Sequence, residues 1–280
     1  MSQNTINPLI SVEELKTIQS QNNLIIADVR FGETAHQAYL EKHLQNSIFV
    51  DLENDLSAQD KNFSQGGRHP LPKLEDFSKT LGQLGIQPSS HVVIYDDKNG
   101  ALAAARFWWM LKAVGHEKVQ VLNGGLQAAE NADFEMQKGE KHLDTVQDYP
   151  LTSWQLPLAD ISEVEKATEN ENINIVDIRG EKRYSGEIEP IDPIAGHIPT
   201  AINIPFQENL NEEGLFLSPD KLHELYQEKL PTTESSQLIF HCGSGVSACH
   251  SILAMSTARL EIPKLYVGSW GEWSRKMIHG

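Results

Sequence analysis

Apolar and polar positions along this 280-residue chain alternate between two periods. Short, mostly apolar runs at Leu24 to Val29, Ser47 to Val50, Val92 to Tyr95 and Val119 to Leu122 read as buried strands. The same holds for Ile173 to Ile178, Ala201 to Ile204, Gln237 to His241 and Lys264 to Val267. Between these runs lie stretches with helical start signals. Ser11-Val12-Glu13-Glu14 is a capping box, Asp160-Ile161-Ser162-Glu163 caps a second helix, and Ser218-Pro219 opens a third that runs through Glu228. Pro72 opens a helix to about Leu84, Ala101 to Val114 forms one that packs Phe107, Trp108 and Met110, and Ala248 to Ala258 forms another. Strands alternating with helices predict an α/β protein whose parallel sheets are covered by helices on both faces.

The pattern is written twice. Ile25-Ile26-Ala27-Asp28-Val29-Arg30 returns as Ile173-Asn174-Ile175-Val176-Asp177-Ile178-Arg179, and Val92 to Asp96 returns as Leu238 to Cys242, in each case roughly 150 residues later. The chain therefore divides into tandem domains over 1–136 and 155–280, joined by a polar linker, 137–154, that holds Pro150 and has no helical stripe. The halves differ where it matters chemically. Asp96 occupies the position of Cys242, and an aspartate cannot carry sulfur, so the first half is expected to be catalytically silent.

Composition narrows the function classes. A formal net charge of −16 argues against nucleic acid or an anionic membrane as partner, and requires any anionic substrate to be held by a local basic patch. No run is long and apolar enough to span a bilayer, and Met1-Ser2-Gln3-Asn4-Thr5 lacks the basic start and apolar core of a secretory signal. There are two cysteines, Cys242 and Cys249, which excludes a disulfide framework and suits a reducing cytoplasm. Their spacing does not suit zinc even with His241 and His250 beside them. Cys249 reads as a packed helix residue.

Cys242 stands at the end of a buried strand and at the start of the loop Gly243-Ser244-Gly245-Val246-Ser247. Small residues let the backbone curl around the sulfur with its N–H groups pointing inward, and the following helix offers its positive end. Both favour a thiolate, so the thiol is expected to ionise below its ordinary pKa. Ser244 and Ser247 add hydroxyl donors. A tyrosine-phosphatase reading requires an arginine six residues after the cysteine to clamp phosphate, and that residue is Ala248.

The loop Cys242 to Ala248 resembles the active loop of the rhodanese family, and its Gly-Ser-Gly version is similar to that of the 3-mercaptopyruvate sulfurtransferases. Arg106-Phe107-Trp108-Trp109-Met110, Gly196-His197-Ile198-Pro199 and Gly268-Ser269-Trp270 with Glu272-Trp273 extend the resemblance over nearly the whole chain. It implies two rhodanese-like domains, the second catalytic. It also implies a sulfurtransferase in which Cys242 takes sulfur from a small anionic donor, 3-mercaptopyruvate or thiosulfate. The resulting persulfide passes its sulfur to cyanide or to a thiol acceptor such as thioredoxin or a small thiol, with no metal or organic cofactor. The loop residues Gly243, Gly245, Val246 and Ser247 hold the persulfide, and Arg183 in Arg183-Tyr184-Ser185-Gly186 holds the donor's carboxylate. In mercaptopyruvate members a histidine, an upstream acid and the loop serine relay a proton; the matches are His69 on the loop Gly67-Arg68-His69-Pro70, Glu53 and Ser244.

Departures from the family are Lys42-His43-Leu44-Gln45-Asn46 in place of a Gly-His-Ile-Pro turn, Ala128-Ala129 where a Trp is usual, and Thr200 where a glycine usually follows Pro199. Ile191-Asp192-Pro193 stands where a second arginine often follows Glu-Pro. The positions after the cysteine, Gly243 and Ser244, are neutral where thiosulfate-preferring members are basic, which favours 3-mercaptopyruvate. Asp177 and Arg179 are expected to form a buried ion pair beneath the loop, and His241 to pack at the strand end. The competing class is a rhodanese-like binding module that carries persulfide without turnover.

Overall fold

The computed structural model describes residues 6–59, 62–100, 102–142 and 144–279. The Met1 to Thr5 segment and the expected helix start at Ala101 lie outside them. Two compact units result: Met1–Ser57, Pro72–Gln155 and Glu213–Leu215 form the first, and Ala58–Leu71, Leu156–Glu212 and Phe216–Gly280 the second. The segment Ala58–Leu71, although early in the chain, thus groups with the second unit. Among the described residues no helix is long and apolar enough to cross a membrane.

The first unit is built on a five-stranded parallel sheet in the order Leu9–Ile10, Val119–Leu122, His91–Tyr95, Leu24–Arg30, Ser47–Asp51. The second repeats that order with Leu158–Ala159, Lys264–Tyr266, Leu238–His241, Asn174–Asp177 and Ile202–Asn203, again all parallel. In both, the central strand is buried along its full length and ends at the residue of interest, Asp96 or Cys242. Carboxyl ends of central parallel strands are where ligands gather in such sheets.

Helix starts follow the expected chemistry at three sites. The Glu14 amide donates to Ser11 Oγ at 3.1 Å and the Ser11 amide to Glu14 Oε2 at 2.9 Å, closing the capping box. Asp160 Oδ1 accepts from the Glu163 amide, and Ser218 caps Pro219–Lys229. Pro72 is a correction. The helix is Leu74–Gln83, because the chain stays extended through Lys73, so Pro72 precedes the helix. Beginning at Leu74 turns Phe77 and Leu81 into the core. Residues of the 137–154 stretch pack on the first unit: the Val146 and Tyr149 amides bond to Gly82 and Ser78 carbonyls, and Trp154 stacks on Phe77 and Trp109.

Each sheet carries the same buried support. Arg30 bonds Asp28 and the Lys42 carbonyl; Arg179 bonds Asp177 and the Gly196 carbonyl. Tyr39 stacks on His43 and Tyr184 on His197, both with ring centroids 4.0 Å apart. The turn of the first half therefore keeps its geometry without the Gly-His-Ile-Pro sequence. Both turns end in a left-handed residue, Asn46 at φ 64° and Thr200 at φ 66°. A β-branched side chain is strained there, whereas asparagine tolerates it. Thr200→Asn, which copies the first half's solution, is expected to stabilise the protein by about 0.5–1 kcal/mol in urea unfolding.

Candidate active site

Cys242 follows Leu238–His241, whose registers Phe240↔Val176 and His241↔Asp177 anchor it to the neighbouring strand. The thiol is buried, 1% exposed. The Ser244 amide lies 3.5 Å and Ser269 Oγ 3.9 Å from Sγ. Burial pushes the thiol's pKa up. The Ser247 hydroxyl, the Ser244 and Ala248 amides and the Ser269 hydroxyl outweigh it and hold the pKa below its ordinary value. Ser247 also begins the helix Ser247–Thr257, so its hydroxyl and the first amides approach the sulfur together. Ser247→Ala should move the inflection of Cys242 alkylation rate against pH upward, toward an ordinary thiol; an unmoved inflection would remove Ser247 from the account.

The loop is held from below by a second helix. Ser269 Oγ accepts from the Cys242 and Gly245 amides at 3.1 and 3.0 Å, and its one proton is shared between the Tyr266 carbonyl at 2.9 Å and Cys242 Sγ at 3.9 Å. The Trp270 and Gly271 amides at the start of Ser269–His279 donate to the carbonyls of Cys242 and Gly243. Gly245 must be glycine: it sits at φ 71°, and a Cβ would lie 2.7 Å from the Val267 carbonyl oxygen.

Support for the strand end is ionic, as expected from the sequence. Arg179 meets Asp177 with Nε and Nη2, reaches Glu189 with Nη1, and lies over the Trp270 ring at 5.0 Å. His241 is buried with Nε2 3.8 Å from Asp177. Burial, opposed by Asp177 and reinforced by Arg179, lowers its pKa, so it remains neutral.

Two cations face the loop. A Cβ at Gly243 would lie 2.9 Å from Arg68 Nη2 and 3.4 Å from both terminal nitrogens of Arg183. Arg183 is paired with Glu189 at 2.7 Å, and Arg68 with Asp192. Two guanidiniums, each paired with a carboxylate, therefore stand beside the neutral pair Gly243-Ser244. Arg68 and Ser269 were not singled out for chemistry by the sequence. For Arg68 the available signal was its place beside His69; for Ser269 it was the motif Gly268-Ser269-Trp270. Cys242, Gly243, Ser244, Gly245, Val246, Ser247 and Arg183 come together as one site. His69 lies in the second unit, half-buried, with Nδ1 turned inward, whereas Glu53 belongs to the first. Cys249 points elsewhere, its thiol toward the Gly245 carbonyl at 3.3 Å.

The first half explains the loop's purpose by contrast. Asp96 accepts from the amides of Lys98, Gly100, Leu102 and Ala104 at 2.7–3.1 Å. The equivalent loop thus cradles an anion supplied by its own side chain, where the second half presents sulfur.

The model of the rhodanese-like domain matches residues 11–132 and again 160–276. A probable 3-mercaptopyruvate sulfurtransferase of Pseudomonas aeruginosa is 38% identical over 272 residues, covering 95% of this chain and 94% of its own. The putative thiosulfate sulfurtransferase SseB of Mycobacterium tuberculosis is 34% identical, with 95% and 93% covered. The solved 3-mercaptopyruvate sulfurtransferase of Leishmania major superposes with a TM-score of 0.84 at 26% identity, over 98% of this chain and 76% of that one.

Proposed function

This chain belongs to the rhodanese family and is a sulfurtransferase, and on that premise we propose that its second half moves sulfur from 3-mercaptopyruvate through a Cys242 persulfide. The observation that carries the proposal is a depressed-pKa thiol whose loop faces two guanidiniums, Arg68 and Arg183.

The Cys242 thiolate attacks the donor's sulfur; an S–S bond forms and the C–S bond breaks, leaving the enolate of pyruvate, which takes a proton. His69, through Ser244, is our candidate for that proton's delivery. The inner face of the loop, from Gly243 to Ser247, stabilises the anionic persulfide as the Asp96 loop stabilises its carboxylate. An acceptor thiolate then attacks the outer sulfur and frees the Cys242 thiolate; cyanide does the same and leaves as thiocyanate. The acceptor is a thiol or cyanide, and we favour a protein dithiol such as thioredoxin, or a small thiol, in the cytoplasm, where two free cysteines survive. Arg68 and Arg183 offer the planar forks that one carboxylate needs, so Arg68 supplies the second cation that the Glu189-Pro190-Ile191 stretch lacks.

Side-by-side kinetics with both donors and cyanide as acceptor tests this reading. We expect kcat/KM for 3-mercaptopyruvate to exceed that for thiosulfate; a preference for thiosulfate of about tenfold or more, some 1.4 kcal/mol, would overturn the donor assignment. A carrier without turnover would accept a single sulfur and stall.

A further inference from the structure

Three guanidiniums converge on one carboxylate in the second unit. Asp192 Oδ1 accepts from Arg68 Nη1 and, at 3.1 Å, from Arg275 Nη1, while Oδ2 lies 3.4 Å from Arg183 Nη2. The Asp192 side chain is fully buried; those of Arg68, Arg183 and Arg275 keep 15%, 21% and 18% of their exposure. Two of these arginines are the cations that face Gly243, and Asp192 Oδ1 itself lies 3.5 Å from where a Cβ on Gly271 would sit, beside the Gly243 carbonyl. Glu189, which pairs with Arg183, also holds Arg179, and Glu272 holds the Gly66 amide. Asp192 is therefore the carboxylate that Arg68, Arg183 and Arg275 share.

We infer that Asp192 determines which donors the site accepts by charge: its carboxylate cancels one cation at the loop mouth and so favours a donor with one negative charge over a donor with two. The inference rests on the sulfurtransferase reading above. A unit of positive charge attracts a dianion twice as strongly as a monoanion at the same place. Removing the Asp192 charge at a separation of several ångströms therefore improves both kinds of donor but favours the dianion by on the order of tenfold. Removing Arg275, which touches Asp192 on the side of the C-terminal helix, acts in the opposite direction.

The test compares the full-length wild type with Asp192→Asn, Asp192→Glu, Arg275→Gln and the Asp192→Asn/Arg275→Gln double variant. Two ratios are measured: kcat/KM for thiosulfate over 3-mercaptopyruvate, and the rate of Cys242 alkylation by anionic iodoacetate over neutral iodoacetamide. Both ratios should rise in Asp192→Asn, the donor ratio by about tenfold, fall severalfold in Arg275→Gln, and return to within about threefold of wild type in the double variant. Asp192→Glu, which keeps the charge, should keep both ratios. A purely structural role would slow all reagents together and would not be rescued by losing a second partner. Ratios within about twofold of wild type in both single variants would overturn the inference. If Asp192→Asn does not fold, the direction of the Arg275→Gln shift decides. If the wild type uses neither donor, the sulfurtransferase reading fails, and the alkylation ratio still decides the role of Asp192.

Discussion

Cys242→Ser should fold like the wild type and lose sulfur transfer by about three orders of magnitude or more, because a serine hydroxyl at this loop is neither ionised nor thiophilic. The substitution removes one buried sulfur and leaves the carbonyls of Cys242 and Gly243 on the amides of Trp270 and Gly271. Urea midpoints should agree with wild type while cyanide-coupled turnover disappears. Because Asp96 stands at the corresponding position of the first half, no second nucleophile is available to rescue the activity. Residual turnover above about one part in a hundred would mean that another group, Cys249 first among them, carries sulfur.

The second large effect concerns stability. Arg179, 2% exposed, is among the described residues the only guanidinium bonded to Asp177, and it also holds Glu189 and the Gly196 carbonyl. Arg179→Ala would leave Asp177 buried without its cation and remove the stacking partner of Trp270, whose amide holds Cys242. Breaking a buried pair from one side costs about 3–5 kcal/mol, which in a protein of this size lowers the thermal midpoint by on the order of 10 °C. Differential scanning calorimetry checks it. A loss below about 1 kcal/mol would show that Asp177 finds other partners.

Local signals were legible in the sequence wherever the physics is local. A cysteine between a buried strand and a small-residue loop, the doubled Asp-x-Arg pattern, the capping box at Ser11 and the helix cap at Asp160 each depend on neighbours a few residues away, and each appears in the structure. Strand and helix ends shifted by a residue or so: the catalytic strand begins at Leu238 after a short 3-10 turn, and its helix begins at Ser247. What stayed illegible depends on contacts distant in sequence. Arg68 reaches Gly243 because residues 58–71 fold onto the second unit, which no local pattern encodes. Ser269 caps the Cys242 amide across the strand order of the sheet. Asp192 looked like the loss of a basic residue, and its meaning came from the arginines that three separate segments bring to it.

Incubation of wild type with 3-mercaptopyruvate, followed by intact-mass measurement and peptide mapping, tests the central claim most directly. Transfer through a Cys242 persulfide gives one added sulfur on the peptide containing Cys242, located on that residue, discharged by cyanide and absent from Cys242→Ser. No added sulfur with either donor, or sulfur located on Cys249, would contradict it.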